Sequence, residues 1–295
     1  NALVRLFPKY PNMVVMDGET NNSTYSEFFA KANSKNYFEM FIAEQNMVGV
    51  ATGLARMNKL PFISTFAAFF TRAFDQIRMA QYAKTNIKFV GSHAGVSIGE
   101  DGSSQMGLED IAMFRSILGS VVLYPSDAMS AERLTEEAAK HKGIVYIRTT
   151  RKETPVIYGP GEKFEVGGSK VLRSSKSDKV TVIGAGITLQ EALKAYEILK
   201  EKNISIRVID LYSIVPLDTK TLQKAVNETQ AIIVVEDHHK AGGIGEAVAS
   251  VLSGSGKSVY ILSCEKMPVS GKPDELLEYE EISASAIIKK VKKLI

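Results

Sequence analysis

Tyr37-Phe38-Glu39-Met40-Phe41-Ile42-Ala43-Glu44-Gln45-Asn46-Met47 is the stretch whose reading decides the fold. The apolar run Phe38 to Ala43 has the length of a strand covered on both faces, as strands of parallel sheets are. From Met47 onward, Met47, Val48, Ala51, Leu54 and Ala55 recur at helical spacing, and Gly49 and Gly53 permit close backbone approach. The pattern predicts a buried strand, an acid, then a helix. Glu44 thereby lies at the carboxyl end of a strand, the edge on which open α/β sheets bind ligands. Two readings of Glu44 stay open here: a helix-start acid favoured by the dipole, or an acid that meets a ligand.

Outward from this stretch the same order repeats. Val14 to Met16 reads as a strand running into the polar turn formers Asp17 to Thr24. Phe62 to Thr65 is a strand, followed by a helix with Phe66, Phe69, Phe70 and Phe74 on its apolar face. Further strands are predicted over 87–90, 121–124 and 144–148, with Arg151 just past the last. Strand-then-helix repetition argues a mostly parallel sheet with helices on both faces. The Gly- and Pro-rich segment 154–168 reads as a linker. A second, smaller unit of the same kind follows, with strands at 180–183, 206–209, 231–235 and 258–262 and helices at 189–200, 244–252 and from Ser283.

Length and composition bound the rest. A chain of 295 residues suits about two domains, each long enough to bury a core. Hydrophobic residues at 45% and charged residues at 23% are ordinary for a globular protein. A net charge of +3 and a pI near 8.7 are too mild to argue for nucleic acid. The basic run Lys289 to Lys293 reads as the solvated end of a helix rather than a membrane contact. One cysteine, Cys264, excludes an internal disulfide and a cysteine metal cluster. With no signal peptide and no spanning apolar run in view, the expected compartment is the cytoplasm. The chain opens on Asn1 within what reads as a helix, so an earlier native start is expected.

Several motifs carry chemistry in one reading and none in the other. Gly184-Ala185-Gly186 follows a strand, but Leu189 stands where a dinucleotide loop needs its third glycine, and a tight turn is the better reading. Glu236-Asp237-His238-His239 before Gly242-Gly243 lacks further ligands nearby in sequence and reads as structural or interface-forming. The phenylalanine stripe is core, or a platform for a flat heterocycle. The loop Gly91 to Gln105 holds four glycines among His93, Glu100, Asp101 and Gln105. It is a solvated turn, or a set that binds hydroxyls and phosphates and moves protons near neutral pH. Arg151 suits bidentate contact with a phosphate.

Together these stretches resemble transketolases along the whole chain. The most specific parts are Ile42 to Met47, Phe66 to Met79, and Gly91-Ser92-His93 with Gly99-Glu100-Asp101-Gly102. Glu236-Asp237-His238 with Gly242 to Glu246 supports the likeness in the second unit. Gln105 stands where many microbial members have histidine, as in the branch that includes the animal enzymes. The family implies a thiamine diphosphate enzyme of three α/β domains. The first holds the diphosphate and a divalent metal, Mg2+ or Ca2+; the second holds the aminopyrimidine; the third has no assigned chemistry. This chain looks like the second and third, as two three-layer α/β/α domains over 1–160 and 169–295. The first domain's Gly-Asp-Gly and Asn motif is absent from the sequence.

What the resemblance implies for single residues follows by position. Glu44 matches the glutamate that hydrogen-bonds the pyrimidine ring nitrogen and favours the reactive tautomer. Phe69 matches the ring stacked on the pyrimidine, and Phe66 its neighbour. Ser23, His93 and Arg151 match residues around the sugar-phosphate tail, Asp101 the acid on a substrate hydroxyl, and Gln105 a group near the reacting carbons. Arg72 falls where some members have tyrosine, and Glu19 where many have aspartate. The implied reaction moves a two-carbon ketol unit between sugar phosphates, with neither nucleic acid nor membrane as partner. The implied partner is a diphosphate-binding domain or subunit, in a homodimer or heterotetramer. The chain, a split-enzyme subunit or a truncated enzyme, is expected to be inactive alone. Rival expectations are a deoxyxylulose-phosphate synthase, a 2-oxo-acid dehydrogenase beta subunit, or a non-catalytic dimerisation partner.

Overall fold

Short runs rich in Val and Ile bury both faces, and that burial selects parallel pairing flanked by helices. In the computed structural model, which describes residues 1–295, the first unit carries β1 (Met13–Asp17), β2 (Tyr37–Glu39), β3 (Leu60–Phe66), β4 (Lys88–Ser92), β5 (Val121–Leu123) and β6 (Val145–Arg148). The second carries β7 (Lys170–Arg173), β8 (Val180–Gly184), β9 (Ile206–Asp210), β10 (Ser213–Val215), β11 (Ala231–Val235) and β12 (Val259–Leu262). One sheet has seven strands in the order β10-β5-β6-β4-β3-β1-β2, the other five in the order β12-β11-β8-β9-β7. Every pairing is parallel except β10 with β5 and β7 with β9. No helix is long and apolar enough to cross a membrane.

The buried strand expected over 38–43 is instead a three-residue edge strand. Glu39 turns the chain away from the sheet: its Oε1 accepts the N–H of Phe41 at 3.1 Å and of Glu19 at 2.8 Å. Phe41 takes a left-handed φ of 54°. Phe38, Phe41 and Ile42 are 42%, 65% and 71% exposed. Apolar composition reported a strand but not that its outer side is unpaired. Glu44 opens the following helix, Glu44–Arg56, and is buried.

The two units share a core. A single apolar cluster runs from Met16 and Phe70 through Tyr124 to Ile209 and Val234. β10, contributed by the second unit, completes the first sheet. Asp210 accepts the hydroxyls of Ser126 (2.9 Å) and Tyr158 (2.5 Å). Between β9 and β11, where the sequence pattern predicts no element, lie β10 and a helix, Thr219–Glu228, at whose start the Asp218 side chain accepts the N–H of Thr221. Gly184-Ala185-Gly186 is indeed a tight turn: Gly186 has φ 58°, and a Cβ there would overlap the Tyr124 ring.

Candidate active site

The carboxyl ends of β1, β3 and β4 lie side by side on one rim of the first sheet. Phe66 ends β3 opposite Ser92 in register, and the next residue, His93, has a left-handed φ of 55°. That conformation is uncommon outside glycine and asparagine and clusters at functional sites. It lays the imidazole on Phe66, with 4.0 Å between centroids and 7° between planes. His93 is buried and its Nδ1 faces Ser92 Oγ at 3.2 Å. Burial, then the charge of Arg151, pushes its pKa down to about 4, with Asp101 opposing. At neutral pH it is an uncharged hydrogen-bonding group.

The helix expected directly after β3 begins as a 3-10 turn, Ala67–Ala73, before the α-helix Phe74–Tyr82. With three residues per turn, positions i and i+3 eclipse one another. Phe66, Phe69 and Arg72 therefore stand in one line. Phe66 and Phe69 stack at 5.3 Å and 17°, and the Arg72 guanidinium lies 4.2 Å from the Phe69 centroid. Arg72 Nη1 then donates to Glu44 Oε1 at 2.5 Å. The Glu44 side chain is 3% exposed and that of Arg72 46%. Gln45 Nε2 donates to the Arg72 carbonyl at 3.1 Å, so the start of one helix is tied to the turn of the other. The result is a continuous row, Glu44–Arg72–Phe69–Phe66–His93, along the rim.

Beyond His93, Arg151 Nη1 donates to Asp101 Oδ1 at 2.7 Å and to the Ile98 carbonyl at 3.2 Å. Gln105, half-buried, ends the 3-10 turn Ser103–Gln105, which packs against the Ala67–Ala73 turn. Ser23 sits on the short helix Asn21–Thr24, and its hydroxyl donates to Asn22 Oδ1 at 3.4 Å. The helix that carries it is tied to β3 through Asp17, which accepts the hydroxyls of Thr24 and of Ser64, the latter at 2.7 Å.

Asp17 organises that corner, a role that the sequence reading misses. Fully buried, it accepts the Thr20 N–H (2.6 Å) and the hydroxyls of Thr24 (2.6 Å) and Ser26 (2.9 Å), which fixes the loop presenting Ser23. Its signal is an acid ending a strand ahead of several hydroxyl residues. Arg72 has a signal too: an arginine three residues after a phenylalanine, visible only if the turn is 3-10 rather than α.

The glycines of the 91–105 loop serve the chain itself more than a ligand. A Cβ at Gly91 would overlap the Tyr146 ring, and one at Gly95 (φ 83°) the Asp237 carboxylate. Asp237 in turn accepts the Val96 N–H at 2.7 Å, so the Glu236-Asp237-His238 run is an inter-unit contact. Glu236 is spent on the N–H of Gly245 (3.1 Å) and of Ile244, at the start of the helix Ile244–Leu252.

A buried carboxylate close to the half-buried Phe69 ring, bridged to it by Arg72, fits a flat, nitrogen-bearing ring, and so fits the aminopyrimidine end of the cofactor implied by the resemblance. No three His, Cys, Asp or Glu side chains are grouped so as to hold a metal ion.

Residues 1–156 match the family profile described as transketolase, pyrimidine binding domain, and residues 169–287 that of the transketolase C-terminal domain. The chain is 52% identical to transketolase of Homo sapiens over 297 residues, covering 100% of this chain and 48% of that one. To transketolase-like protein 2 of Mus musculus it is 54% identical, over 99% of this chain and 47% of that one. A solved structure of a split gene transketolase, described as an inactive beta4 tetramer, is similar at 36% identity and TM-score 0.89, covering 99% of this chain and 95% of its own. Transketolase from Campylobacter jejuni shares the fold at 19% identity and TM-score 0.83, over 99% of this chain and 45% of that one. The chain spans about half the length of the curated relatives it matches. It belongs to the transketolase family, and its matched segments are that family's pyrimidine-binding and C-terminal domains.

Proposed function

We propose that this chain supplies the pyrimidine-binding side of a thiamine diphosphate site that moves a two-carbon ketol unit from a ketose phosphate to an aldose phosphate. The observation that carries the reading is the 3% exposed Glu44 carboxylate, bridged by Arg72 to the Phe69 face, on the carboxyl rim of the sheet. The cofactor, when bound, supplies the electron sink for the transfer. Glu44 holds the pyrimidine ring nitrogen, Phe69 carries the ring, and Phe66 backs it. Uncharged His93 and Gln105 orient the reacting end of the sugar, and Asp101 takes a hydroxyl. Arg151 and Ser23 hold the phosphate, bidentate contact suiting a guanidinium.

The division is at 1–160 and 169–295, with the diphosphate and its Mg2+ or Ca2+ held by a domain or subunit outside these residues. The assembly is a homodimer or heterotetramer in the cytoplasm, and this chain is inactive by itself. The similar split gene tetramer, itself described as inactive, supports this last point. The test is reconstitution with a diphosphate-binding transketolase part, comparing xylulose 5-phosphate with pyruvate as donor. The expected result is ketol transfer from the sugar phosphate, lost in Glu44→Ala. Turnover unchanged in Glu44→Ala, or robust transfer by this chain alone, overturns the reading.

A further inference from the structure

Arg72 makes the two contacts that the Glu44 pocket would offer a flat heterocycle. Its guanidinium is planar, delocalised and rich in N–H donors. It lies over Phe69, 4.2 Å from the ring centroid, and it donates to the buried Glu44 carboxylate at 2.5 Å. An aminopyrimidine protonated at the ring nitrogen has the same attributes: a flat π surface and an N–H that donates to the carboxylate. We infer that Arg72 is an internal stand-in for the aminopyrimidine, a latch that closes over Glu44 and Phe69 and is displaced when the ring enters. The inference rests on the reading of Glu44 and Phe69 as the pyrimidine pocket.

Three features suit a latch better than a fixed support. The Arg72 side chain is 46% exposed, so it can swing into water by giving up its contacts with Glu44 and Phe69. Its backbone is held independently, because Gln45 bonds its carbonyl and Ala73 behind it is buried. The contact is therefore carried by the side chain alone. Finally, the seven-residue 3-10 turn that lines up Phe66, Phe69 and Arg72 is longer than such turns usually run. An α-helical turn would carry Arg72 round to one side of Phe69.

The consequence for the pocket is twofold. While the latch is shut, Glu44 is not left as a buried acid without a cation, a state that costs far more than a paired one, and the Phe69 face is covered. The ring must compete with Arg72 for both, so the observed affinity is reduced by the fraction of time the latch is open.

The test uses calorimetric titration of the full chain with free 4-amino-5-hydroxymethyl-2-methylpyrimidine. Arg72→Ala is expected to bind it about tenfold more tightly than the parent, as for a latch shut about nine-tenths of the time. Arg72→Lys, which keeps the charge but cannot stack as a plane, should fall between. Glu44→Ala should lose the binding. Methylguanidine should raise the melting midpoint of Arg72→Ala and leave the parent unmoved. If the parent binds but Arg72→Ala binds equally or more weakly, the latch is wrong and the pocket stands. If neither the parent nor Arg72→Ala binds, the pocket assignment falls and takes the latch with it.

Discussion

Phe66 and His93 lie face to face, 4.0 Å between ring centroids and 7° from parallel, although one ends a strand, the other follows the neighbouring strand, and they are 27 residues apart in the sequence. The register of β3 on β4 sets Phe66 beside Ser92, and the left-handed backbone of His93 does the rest. The imidazole is thereby kept out of water at the centre of the candidate site.

That burial makes a prediction about protons. His93 should titrate near pH 4 in the folded chain, against an ordinary 6.5. Between these values the unfolded chain binds a proton that the folded one does not, so stability falls as pH drops through the window and is insensitive to His93 above it. His238, also pushed down to about 4 by burial, adds a slope of the same sign. NMR titration checks the site directly. Phe66→Ala, which opens one face of the ring to water, should move the His93 midpoint upward, and an unmoved midpoint would contradict burial as the cause.

Arg151 has two separable roles to check. Its positive charge is the second cause of the low His93 midpoint, so Arg151→Ala should raise that midpoint in the chain alone. In the reconstituted enzyme the same substitution should raise KM for phosphorylated sugars about tenfold to a hundredfold, the size of a lost charge-assisted contact, with kcat little changed. Equal losses with unphosphorylated acceptors would remove Arg151 from the phosphate site.

Gly95 and Asp237 occupy one space. A side chain at Gly95 meets the Asp237 carboxylate, and its φ of 83° is strained for any other residue. Gly95→Ala should cost roughly 3 kcal/mol in chemical denaturation, from strain and displacement of a buried acid that bonds Val96. Asp237→Ala removes the obstacle but orphans the Val96 N–H. The double variant should therefore lose less than the two singles added together. Strict additivity would mean that the backbone strain alone matters.

Much of this fold was legible because its strands are apolar runs and its helices follow at once. β3, β4, β8, β9 and β11 are all where Val, Ile and Phe runs predict them. What escaped was partner-dependent. The Phe38–Ala43 run is apolar, yet only three residues around it pair, at an edge that composition cannot reveal. β10 is three residues long and has meaning only against β5 of the other unit. The aromatic stripe was visible, but the 3-10 geometry that aligns Phe66, Phe69 and Arg72 was not, since residues three apart are neighbours in either kind of helix and composition does not choose between them. Gly91 and Gly95 are needed because Tyr146 and Asp237 lie against them, and that is set by tertiary structure rather than by the loop's own sequence.

Arg148 and Asp110, both of the first unit, form a buried ion pair at the seam with the second. Arg148 is 0% exposed and Asp110 1%, and Nε and Nη2 reach the carboxylate at 2.7 and 3.2 Å. Nη2 also donates to the carbonyls of Gly107 (2.9 Å) and Asp237 (2.8 Å), while Tyr146 donates to Asp110 at 2.6 Å. Burial alone would raise the Asp110 carboxyl, but the Arg148 and His238 charges and these hydrogen bonds hold it below its ordinary value. Arg148→Met should cost about 3–5 kcal/mol, because it leaves an uncompensated buried carboxylate and two unpaired carbonyls. Arg148→Met with Asp110→Leu should recover part of that loss, since an apolar pair of similar volume carries no buried charge. The cost of Arg148→Met should also shrink on acidification toward the ordinary carboxyl range, where the stranded Asp110 takes up a proton. A loss under about 1 kcal/mol at neutral pH would show that the pair is replaceable and that the shared apolar core holds the units together without it.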